Sequence, residues 1–239
     1  MKNYILLFLV SLLSLMTIIS CEKSAYIDSG VFTNNYPGNH YDYLKSRPEL
    51  FDSLTKIIDL AGLKDVVNKP NTTFFVPSDY TIRKSVEQLN QVLYIAGRDT
   101  VKNLSEVNPL VWKEFLQIYL FNGVRLLNDY PQLDTNKMDV FPGQGFVSIG
   151  NNNMNIGVLY NDVTNERDGV KQTVQYAGYR QLYLSSVDIT NLFGQMINAP
   201  VATSNLKTSN GVLHVLNFTK HSFGFSSDYF AGRAFSMMN

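Results

Sequence analysis

Side chains that could carry chemistry are sparse in this chain, which has one cysteine and three histidines in 239 residues. His40 and His221 are predicted to flank the folded domain, and neither they nor His214 follow the short spacings of zinc ligands. His214 shares a predicted strand face with Val212 and Leu216, which favours a core histidine bonded to backbone. No P-loop, dinucleotide fingerprint or nucleophile elbow occurs. We therefore predict no enzyme, with no catalytic residue, no metal ligand and no cofactor.

A cluster of oxygen-bearing side chains precedes Gly169 and is formed by Asp162, Asn165, Glu166 and Asp168. Calcium takes ligands of this kind at short spacing. The spacing departs from that of an EF-hand loop, however. A solvated hairpin tip explains the cluster better than a calcium site does.

Composition narrows the function classes further. The 20 basic residues balance the 20 acidic residues, and no basic stripe appears, which excludes a nucleic-acid partner. The 14 tyrosines and 15 phenylalanines suit either a tyrosine-rich sheet or an exposed binding surface. The sequence leaves both readings open.

The N-terminus has the pattern of a targeting signal. One basic residue, Lys2, precedes an apolar run from Tyr4 to Ile19, as in a secretory signal peptide. The run ends in Ile18-Ile19-Ser20-Cys21, which resembles the bacterial lipobox. This resemblance implies a signal peptide over residues 1–20 and acylation of Cys21, including palmitate-type chains. Several buried acyl chains would hold the protein on a membrane. Residues 21–39 lack periodicity and are predicted to be a tether.

Helical patterns dominate the first half of the remaining chain. Residues 47–61 have the periodicity of an amphipathic helix, with Ser46 and Glu49 placed as a capping box. A further helix is predicted after Ser78, which would cap it, with Asp79 at its positive end. Another begins at Asn108-Pro109, carries the lone Trp112 on its core face and runs to Asn122-Gly123.

Strand patterns dominate the second half, with turn residues about every ten positions. The first core strand comes earlier, at Thr72–Val76, and Pro77 ends it. After Gly123 an antiparallel β region is expected, and Asn210-Gly211 predicts a hairpin before a central strand at 212–216. The strands predicted between these points are Phe146–Ile149, Met154–Tyr160, Val170–Tyr176 and Gln181–Leu184. Because no linker separates the halves, we predict one α+β domain over residues 40–220.

Two stretches of the chain resemble the paired motifs of the fasciclin (FAS1) domain. The first motif is matched by Thr73, Phe75, Pro77, Ser78 and Asp79, and the second by Asn210, Gly211, Leu213, His214, Leu216 and Asn217. The resemblance spans about residues 40–220. It implies a β-sandwich or wedge with helices packed on one side, and a binding or adhesion role without catalysis. The family's Tyr-His pair is replaced by Tyr119-Leu120, which puts adhesion through that pair in doubt.

The span from Gly123 to Asn210 is longer than the family pattern, so extra hairpins are expected there, and such insertions are where a specific function can reside. Together with the lipobox, the motifs resemble surface lipoproteins of Bacteroidetes type. We predict a lipid-anchored binding module on the outer membrane, facing the cell exterior, for a glycan, peptide or partner protein. The candidate ligand platform consists of tyrosines in the insertion: Tyr160, Tyr176, Tyr179 and Tyr183.

The last residues, 221–239, form a very apolar tail. Exposed apolar patches mark interfaces. This motivates a second hypothesis, a non-catalytic accessory subunit docked on an outer-membrane nutrient-uptake complex of the SusCD type. Its candidate partner interface is Phe223, Phe225, Tyr229, Phe230 and Phe235. The opposing reading is that the tail packs back on its own domain, and the sequence does not separate the two.

Overall fold

The structure is a computed structural model that describes residues 34–187 and 196–238. The predicted signal peptide and Cys21 lie outside the described residues. A compact unit begins at Asn34. Among the described residues, no helix has the length and apolar character needed to cross a membrane. The predicted α+β class is confirmed, with a nearly closed sheet forming a wedge and helices on one side.

Five helices lie before residue 117 and one lies near the C-terminal end of the described chain, and three short 3₁₀ turns occur between residues 104 and 129. Their bounds are α1 His40–Lys45, α2 Pro48–Leu60, α3 Lys64–Val67, α4 Asp79–Ile95, α5 Pro109–Leu116 and α6 Ser227–Ser236. The 3₁₀ turns are Leu104–Glu106, Gln117–Tyr119 and Leu127–Asp129. Trp112 on α5 is fully buried, as predicted.

The strands form one seven-stranded sheet in the order β2-β1-β9-β8-β7-β4-β3 and a separate β5-β6 pair. Their bounds are β1 Thr72–Val76, β2 Leu120–Asn122, β3 Gln144–Val147, β4 Asn153–Tyr160, β5 Val163–Arg167, β6 Val170–Val174, β7 Arg180–Val187, β8 Met196–Thr208 and β9 Gly211–Leu216. Neighbouring strands are antiparallel except β1 and β9, which run parallel. The four strands predicted in the insertion correspond to β3, β4, β6 and β7 with shifted ends.

The two motif stretches become adjacent central strands. Thr72 of β1 lies opposite Gly211 of β9, and Val76 lies opposite Val215. A Cβ atom built on Gly211 would come within 1.9 Å of the Thr72 carbonyl oxygen, so only glycine fits this crossing. The Asn210 side chain fixes the turn before β9 against α1, since its Oδ1 accepts a hydrogen bond from the His40 amide at 2.8 Å. The motifs therefore hold the centre of the sheet together.

The start of α2 differs from the prediction. Ser46 does not cap it, because residues 40–45 form a helix of their own and Ser46 is the C-cap of that helix. The chain then kinks at Phe51, which has non-helical dihedral angles. Past the kink, the Asp79 carboxylate accepts from the amides of Ser53 and Leu54, both at 2.9 Å. Asp79 thus caps the resumed α2 rather than its own helix.

Ser78 occupies the predicted N-cap position of α4, but its side chain makes no capping hydrogen bond. The Ser78 hydroxyl is buried without a partner in the described residues. The strand before it ends at Val76, as Pro77 predicted. The backbone turn of this motif is therefore as expected, while the capping role assigned to its hydroxyl is wrong.

Two further boundaries differ from the prediction. The helix expected to reach Asn122 ends at Leu116, and residues 120–122 instead form β2 beside β1. The 13-residue strand β8 was not predicted at all. It contains Pro200, a residue that argues against a central strand. β8 tolerates it because different halves of the strand pair with β7 and with β9.

The apolar tail packs back on its own domain. Phe223 and Phe230 are fully buried and Phe225 nearly so. The Phe230 ring lies 5.2 Å from Trp112 and 5.1 Å from Phe115, centroid to centroid. The proposed interface is therefore wrong for these three residues, because Phe223 and Phe230 pack on α5 and the Phe225 ring stacks on that of Tyr119. Only Tyr229, 39% exposed, and the half-buried Phe235 retain accessible surface.

The predicted tether also ends earlier than residue 39. The Lys207 amide donates to the Asn34 carbonyl oxygen at 2.6 Å, and the Tyr36 amide donates to that of Lys207 at 2.8 Å. Asn39 then caps α1 in a capping box with Asp42. Residues 34–39 are thus part of the folded unit, because β8 offers them an open edge.

Candidate functional site

A cavity of about 300 Å³ lies at the base of the β5–β6 hairpin, where the hairpin meets the loop that precedes β3. We call it the tyrosine pocket. Its aromatic walls are Tyr160, at the end of β4, and Tyr176, just after β6. Leu159 and six polar side chains complete the lining, the polar ones being Asp134, Asn136, Lys137, Asn161, Asp162 and Gln175. The pocket thus combines aromatic surface with convergent polar groups, and it is more polar than most small-molecule sites.

Tyr176 is the best-anchored residue of the tyrosine pocket. Its hydroxyl donates to Asp134 Oδ2 at 3.0 Å and accepts from Lys137 Nζ at 3.0 Å. Its backbone amide donates to Asp162 Oδ1 at 2.8 Å. The residue adopts a positive φ of 59°, which few side chains other than glycine take without a compensating constraint. The hydrogen bonds on both ends of Tyr176 supply that constraint and fix its ring.

The opposite wall is held by a tight turn around Asp134. The Asn136 amide donates to Asp134 Oδ1 at 2.9 Å, and the Lys137 amide donates to the Asp134 carbonyl oxygen at 3.0 Å. The Asp134 amide in turn donates to the Phe141 carbonyl oxygen. Because the Asp134 carboxylate is positioned by backbone, it is a fixed acceptor beside the Tyr176 hydroxyl.

The charges of the tyrosine pocket decide which ligands suit it. Its carboxylates are Asp134 and Asp162, and its cation is Lys137. The hydrogen bond from Lys137 to the Tyr176 hydroxyl raises the pKa of Lys137, so the ammonium stays charged. A cation over an aromatic face is also favourable, and Arg180 lies 4.6 Å from the Tyr160 ring centroid. The carboxylates, amides and rings suit an uncharged ligand rich in hydroxyl groups.

The other two predicted platform tyrosines do not line this cavity. Tyr179 is 69% exposed, and its carbonyl oxygen accepts from the Asn161 amide at 3.1 Å. Tyr183 lies on β7 opposite Gly157 of β4. Burial, and secondarily the neighbouring Tyr179, raises the pKa of Tyr183. The structure therefore brings Tyr160 and Tyr176 to one pocket and leaves Tyr179 and Tyr183 outside it.

The cluster of oxygen ligands before Gly169 is spread along a hairpin. Asn165 and Glu166 lie on β5, and Glu166 pairs with Lys171 of β6 at 3.8 Å. The turn itself is Asp168-Gly169, both with positive φ. Asp162 is at the base and belongs to the tyrosine pocket. Within residues 34–187 and 196–238, no group of three or more His, Cys, Asp or Glu could hold a metal ion.

The histidines are structural and buried. His214 Nδ1 accepts from the Asn205 amide at 3.2 Å, so Nε2 carries the proton and donates to the Arg125 carbonyl oxygen at 2.9 Å. The predicted core role of His214 is confirmed. The prediction that His40 flanks the domain is wrong, because its ring lies between the hydroxyls of Thr72 and Thr208. Burial lowers the pKa of both His40 and His214 to about 4.

His221 is likewise buried rather than flanking. Its Nε2 lies 2.8 Å from the Tyr119 hydroxyl oxygen, and that oxygen accepts from the Gly224 amide at 2.7 Å. Burial lowers the pKa of His221 to about 3. The Tyr119 ring also stacks on Phe225. A Tyr-His contact therefore exists here, formed by Tyr119 with a histidine from the tail instead of the next residue.

The remaining motif residues also serve the fold. Thr73 Oγ1 donates to the Gly123 carbonyl oxygen at 2.7 Å, and the Phe75 ring lies 5.0 Å from that of His214. Leu213 is fully buried in the same core. None of these side chains lines the tyrosine pocket. The motif positions are thus structural, and the ligand groups come from the insertion.

Comparison with known proteins finds a distant structural similarity and no match in sequence. No protein-family model matches the chain, and no curated protein matches it. Among solved structures, the chain is similar to a FAS1 domain pair from the insect cell adhesion molecule fasciclin I, at a TM-score of 0.44 and 15% sequence identity. The match covers 75% of this chain, which spans about half (50%) of that one. So distant a likeness carries no argument about family or ligand.

Sequence reasoning missed the polar half of the tyrosine pocket. Asp134, Asn136 and Lys137 lie in a loop without hydrophobic periodicity, and Gln175 precedes Tyr176 at the end of the hairpin. The one available signal was the Asp-Thr-Asn spacing of residues 134–136, which favours a tight turn with the aspartate side chain bonded to backbone. Nothing local to the sequence indicates that this turn meets Tyr176.

Proposed function

We propose that this protein is a lipid-anchored surface protein of a bacterial outer membrane that binds glycans through the tyrosine pocket. The observation that carries the proposal is the fixed array of Tyr176, Asp134 and Lys137 beside the Tyr160 ring. Sugars present hydroxyl groups that both donate and accept, together with apolar ring faces. Carboxylates and amides match the former, and an aromatic ring matches the latter.

The remaining parts of the proposal rest on sequence. The Ile18-Ile19-Ser20-Cys21 pattern supports acylation of Cys21 and membrane attachment. The resemblance of the two motifs to the fasciclin family supports a binding or adhesion role without catalysis. Location on the outer membrane and exposure to the cell exterior follow from the resemblance to surface lipoproteins of Bacteroidetes type. The burial of Phe223, Phe225 and Phe230 leaves the accessory-subunit hypothesis with only Tyr229 and Phe235 of the surface that motivated it.

A glycan array tests the proposal with one pair of matched variants. The protein would be residues 21–239 with Cys21→Ser, which includes the whole compact unit and carries no lipid. Asp134→Asn removes a pocket carboxylate and retains its shape, whereas Asp168→Asn makes the same change at the hairpin turn outside the pocket.

We expect wild type and Asp168→Asn to bind the same uncharged glycans and Asp134→Asn to lose at least about tenfold in affinity, since a hydrogen bond to a charged group contributes about 1.5–3 kcal/mol. The proposal is wrong if no glycan binds, or if both variants bind as wild type does.

A further inference from the structure

The seven-stranded sheet almost closes on itself, and the point where it fails to close is an open edge. The Ile149 amide, two residues past β3, donates to the Leu120 carbonyl oxygen of β2 at 2.7 Å. From there the two edge strands diverge, and a cleft of about 370 Å³ lies between them. We call this the edge cleft. It is lined by Val66, Lys69, Asn122, Val147, Ser148, Ile149 and Asn151.

The β3 side of the edge cleft carries unpaired backbone groups. Along a strand, the N–H and C=O of successive residues point alternately to the two sides. The Ile149 amide points to β2, whereas the Ser148 amide donates to Asn152 on the opposite side. The backbone N–H groups of Gly145 and Val147 therefore point away from β4, on the same side as that of Ile149, and Val147 lines the edge cleft. Within residues 34–187 and 196–238, neither makes a backbone hydrogen bond on that side.

The β3 edge is short, at four residues, but it lacks the charges, prolines and bulges that block strand addition. Charged side chains, prolines and bulges normally protect an edge. The β3 sequence Gln144-Gly145-Phe146-Val147 has no charge and no proline. Its register with β4 is continuous, and the Val147 side chain is 59% exposed. The edge is thus competent to take another strand.

The charges around the edge cleft define the occupant. Lys69 is the one charged residue of the lining, and its Nζ donates to Asn122 Oδ1 at 3.2 Å. Arg125 lies on the same gap, because its Nη1 donates to the Asn122 carbonyl oxygen at 2.8 Å and its guanidinium lies 5.0 Å from the Phe146 ring centroid. No carboxylate lines the cleft. These cations favour an acidic ligand.

The free strand edge and the charge of the edge cleft together suit an extended acidic chain. One end of the cleft is closed by backbone hydrogen bonds, from the Ile149 amide to the Leu120 carbonyl oxygen and from the Gly150 amide to the Gln117 carbonyl oxygen. The open part, about 370 Å³, includes Val147 of the β3 edge, and its lining carries Lys69 and no carboxylate. We infer that the edge cleft binds an extended, acidic peptide segment of a partner protein, which adds a strand to β3. This site is separate from the tyrosine pocket, and neither proposal depends on the other.

An NMR titration tests this inference on residues 21–239 with Cys21→Ser. The probe is the peptide acetyl-Thr-Val-Glu-Val-Thr-amide, and the observables are the amide shifts and hydrogen-exchange rates of Gly145 and Val147. We expect both amides to shift and to exchange more slowly as peptide is added, because they gain acceptors. The same peptide N-methylated at glutamate and at both valines should not bind, since it cannot pair with the edge.

A charge swap makes the test specific. Lys69→Glu should weaken binding of the glutamate peptide about tenfold and allow the corresponding lysine peptide to bind. Lys64→Glu makes the same change on α3, outside the cleft lining, and should leave binding unchanged. The inference is overturned if millimolar peptide leaves Gly145 and Val147 unaffected, if the N-methylated peptide binds equally well, or if the charge swap has no effect.

Discussion

The parallel pair β1–β9 and the tyrosine pocket are built in opposite ways. In the β1–β9 pair, Phe74, Phe75, Leu213 and His214 are fully buried, and the polar atoms of His214 bond to backbone. In the tyrosine pocket, Asp134, Lys137 and Tyr176 bond mainly to one another around an accessible cavity. In the first arrangement the buried polar groups find their partners within the fold, whereas the second leaves Asn136, Lys137 and Asp162 exposed and the two tyrosine rings half-buried.

The residues that make the family motifs recognisable in the sequence are therefore not the residues proposed to bind ligand. The β1–β9 residues form the motifs that make the chain resemble a known family, and they serve to hold the sheet together. The tyrosine pocket lies in the insertion between the motifs, and its residues contribute little to the core. Changes in the β1–β9 pair or its supporting helices should therefore alter stability, and changes in the tyrosine pocket should alter binding.

Deleting residues 222–239 should have the largest effect. The deletion removes Phe223 and Phe230, each fully buried, and loss of a buried phenylalanine costs about 3–5 kcal/mol. The sum approaches the total stability of a typical domain, about 5–15 kcal/mol. We expect global unfolding, measured by circular dichroism and thermal denaturation. A cooperatively folded product that has lost only a partner complex would contradict the packing of the tail.

Gly211→Ala should be the most damaging single substitution in the β1–β9 pair. The new methyl group would meet the Thr72 carbonyl oxygen, and the parallel strands would have to separate. We expect a loss of at least about 3 kcal/mol in the free energy of unfolding, at the upper end for single changes. Gly145→Ala is the control, because a Cβ atom there meets nothing within 4 Å. Equal stability of the two variants in urea titrations would show that the backbone at Gly211 does not lie in close contact with the Thr72 carbonyl oxygen.

Acid should destabilise the core through the three buried histidines. Burial lowers the pKa of His40 and His214 to about 4 and that of His221 to about 3. Below about pH 6.5, the ordinary histidine pKa, the unfolded chain binds protons that the folded chain does not. The free energy of unfolding is therefore highest above pH 6.5. It decreases as the pH is lowered, by up to about 1.4 kcal/mol per pH unit for each histidine.

The measurement is the free energy of unfolding between pH 7 and pH 5, where we expect a loss on the order of 5 kcal/mol. Asp79 opposes this trend, because burial raises its pKa and the folded carboxyl binds a proton more readily. A stability that is flat over this range would mean that the histidines are solvated.

Tyr176→Phe should have the smallest effect on stability and a clear effect on binding. The change removes the hydroxyl that bridges Asp134 and Lys137 and keeps the ring. We expect glycan affinity to fall about tenfold while stability changes by no more than about 1 kcal/mol. Tyr179→Phe is the matched control, since Tyr179 lies outside the lining. The assignment of the pocket fails if calorimetry gives the two variants the same affinity.

The sequence predicted the centre of the fold better than its margins. β1 and β9 were recognisable because each is an apolar run bounded by a specific breaker, Pro77 or Asn210-Gly211. The capping role of Ser46 was wrong because the short helix α1 uses that residue as its own end. The sequence predicts helix at β2 because residues 120–122 continue the apolar run of α5, while their strand partner, β1, lies far away in sequence.

The tyrosine pocket was predictable only in part. Tyr160 and Tyr176 were proposed because aromatic residues in an insertion suit a binding surface, and both line the pocket. Asp134 and Lys137 were not, because a loop carries no periodic signal and its meeting with the β5–β6 hairpin is a tertiary contact. The buried roles of His40 and His221 were missed for the same reason: their partners Thr208 and Tyr119 are more than 100 residues away.

The most direct test of the contrast between the two regions is amide shift mapping with a glycan that binds in the array. The titration would use residues 21–239 with Cys21→Ser. We predict that the largest shifts fall on residues 134–137, 160–162 and 175–176, while the amides of β1 and β9 stay unchanged. Shifts centred on β1 and β9, with none at Asp134 and Tyr176, would contradict the assignment of binding to the insertion.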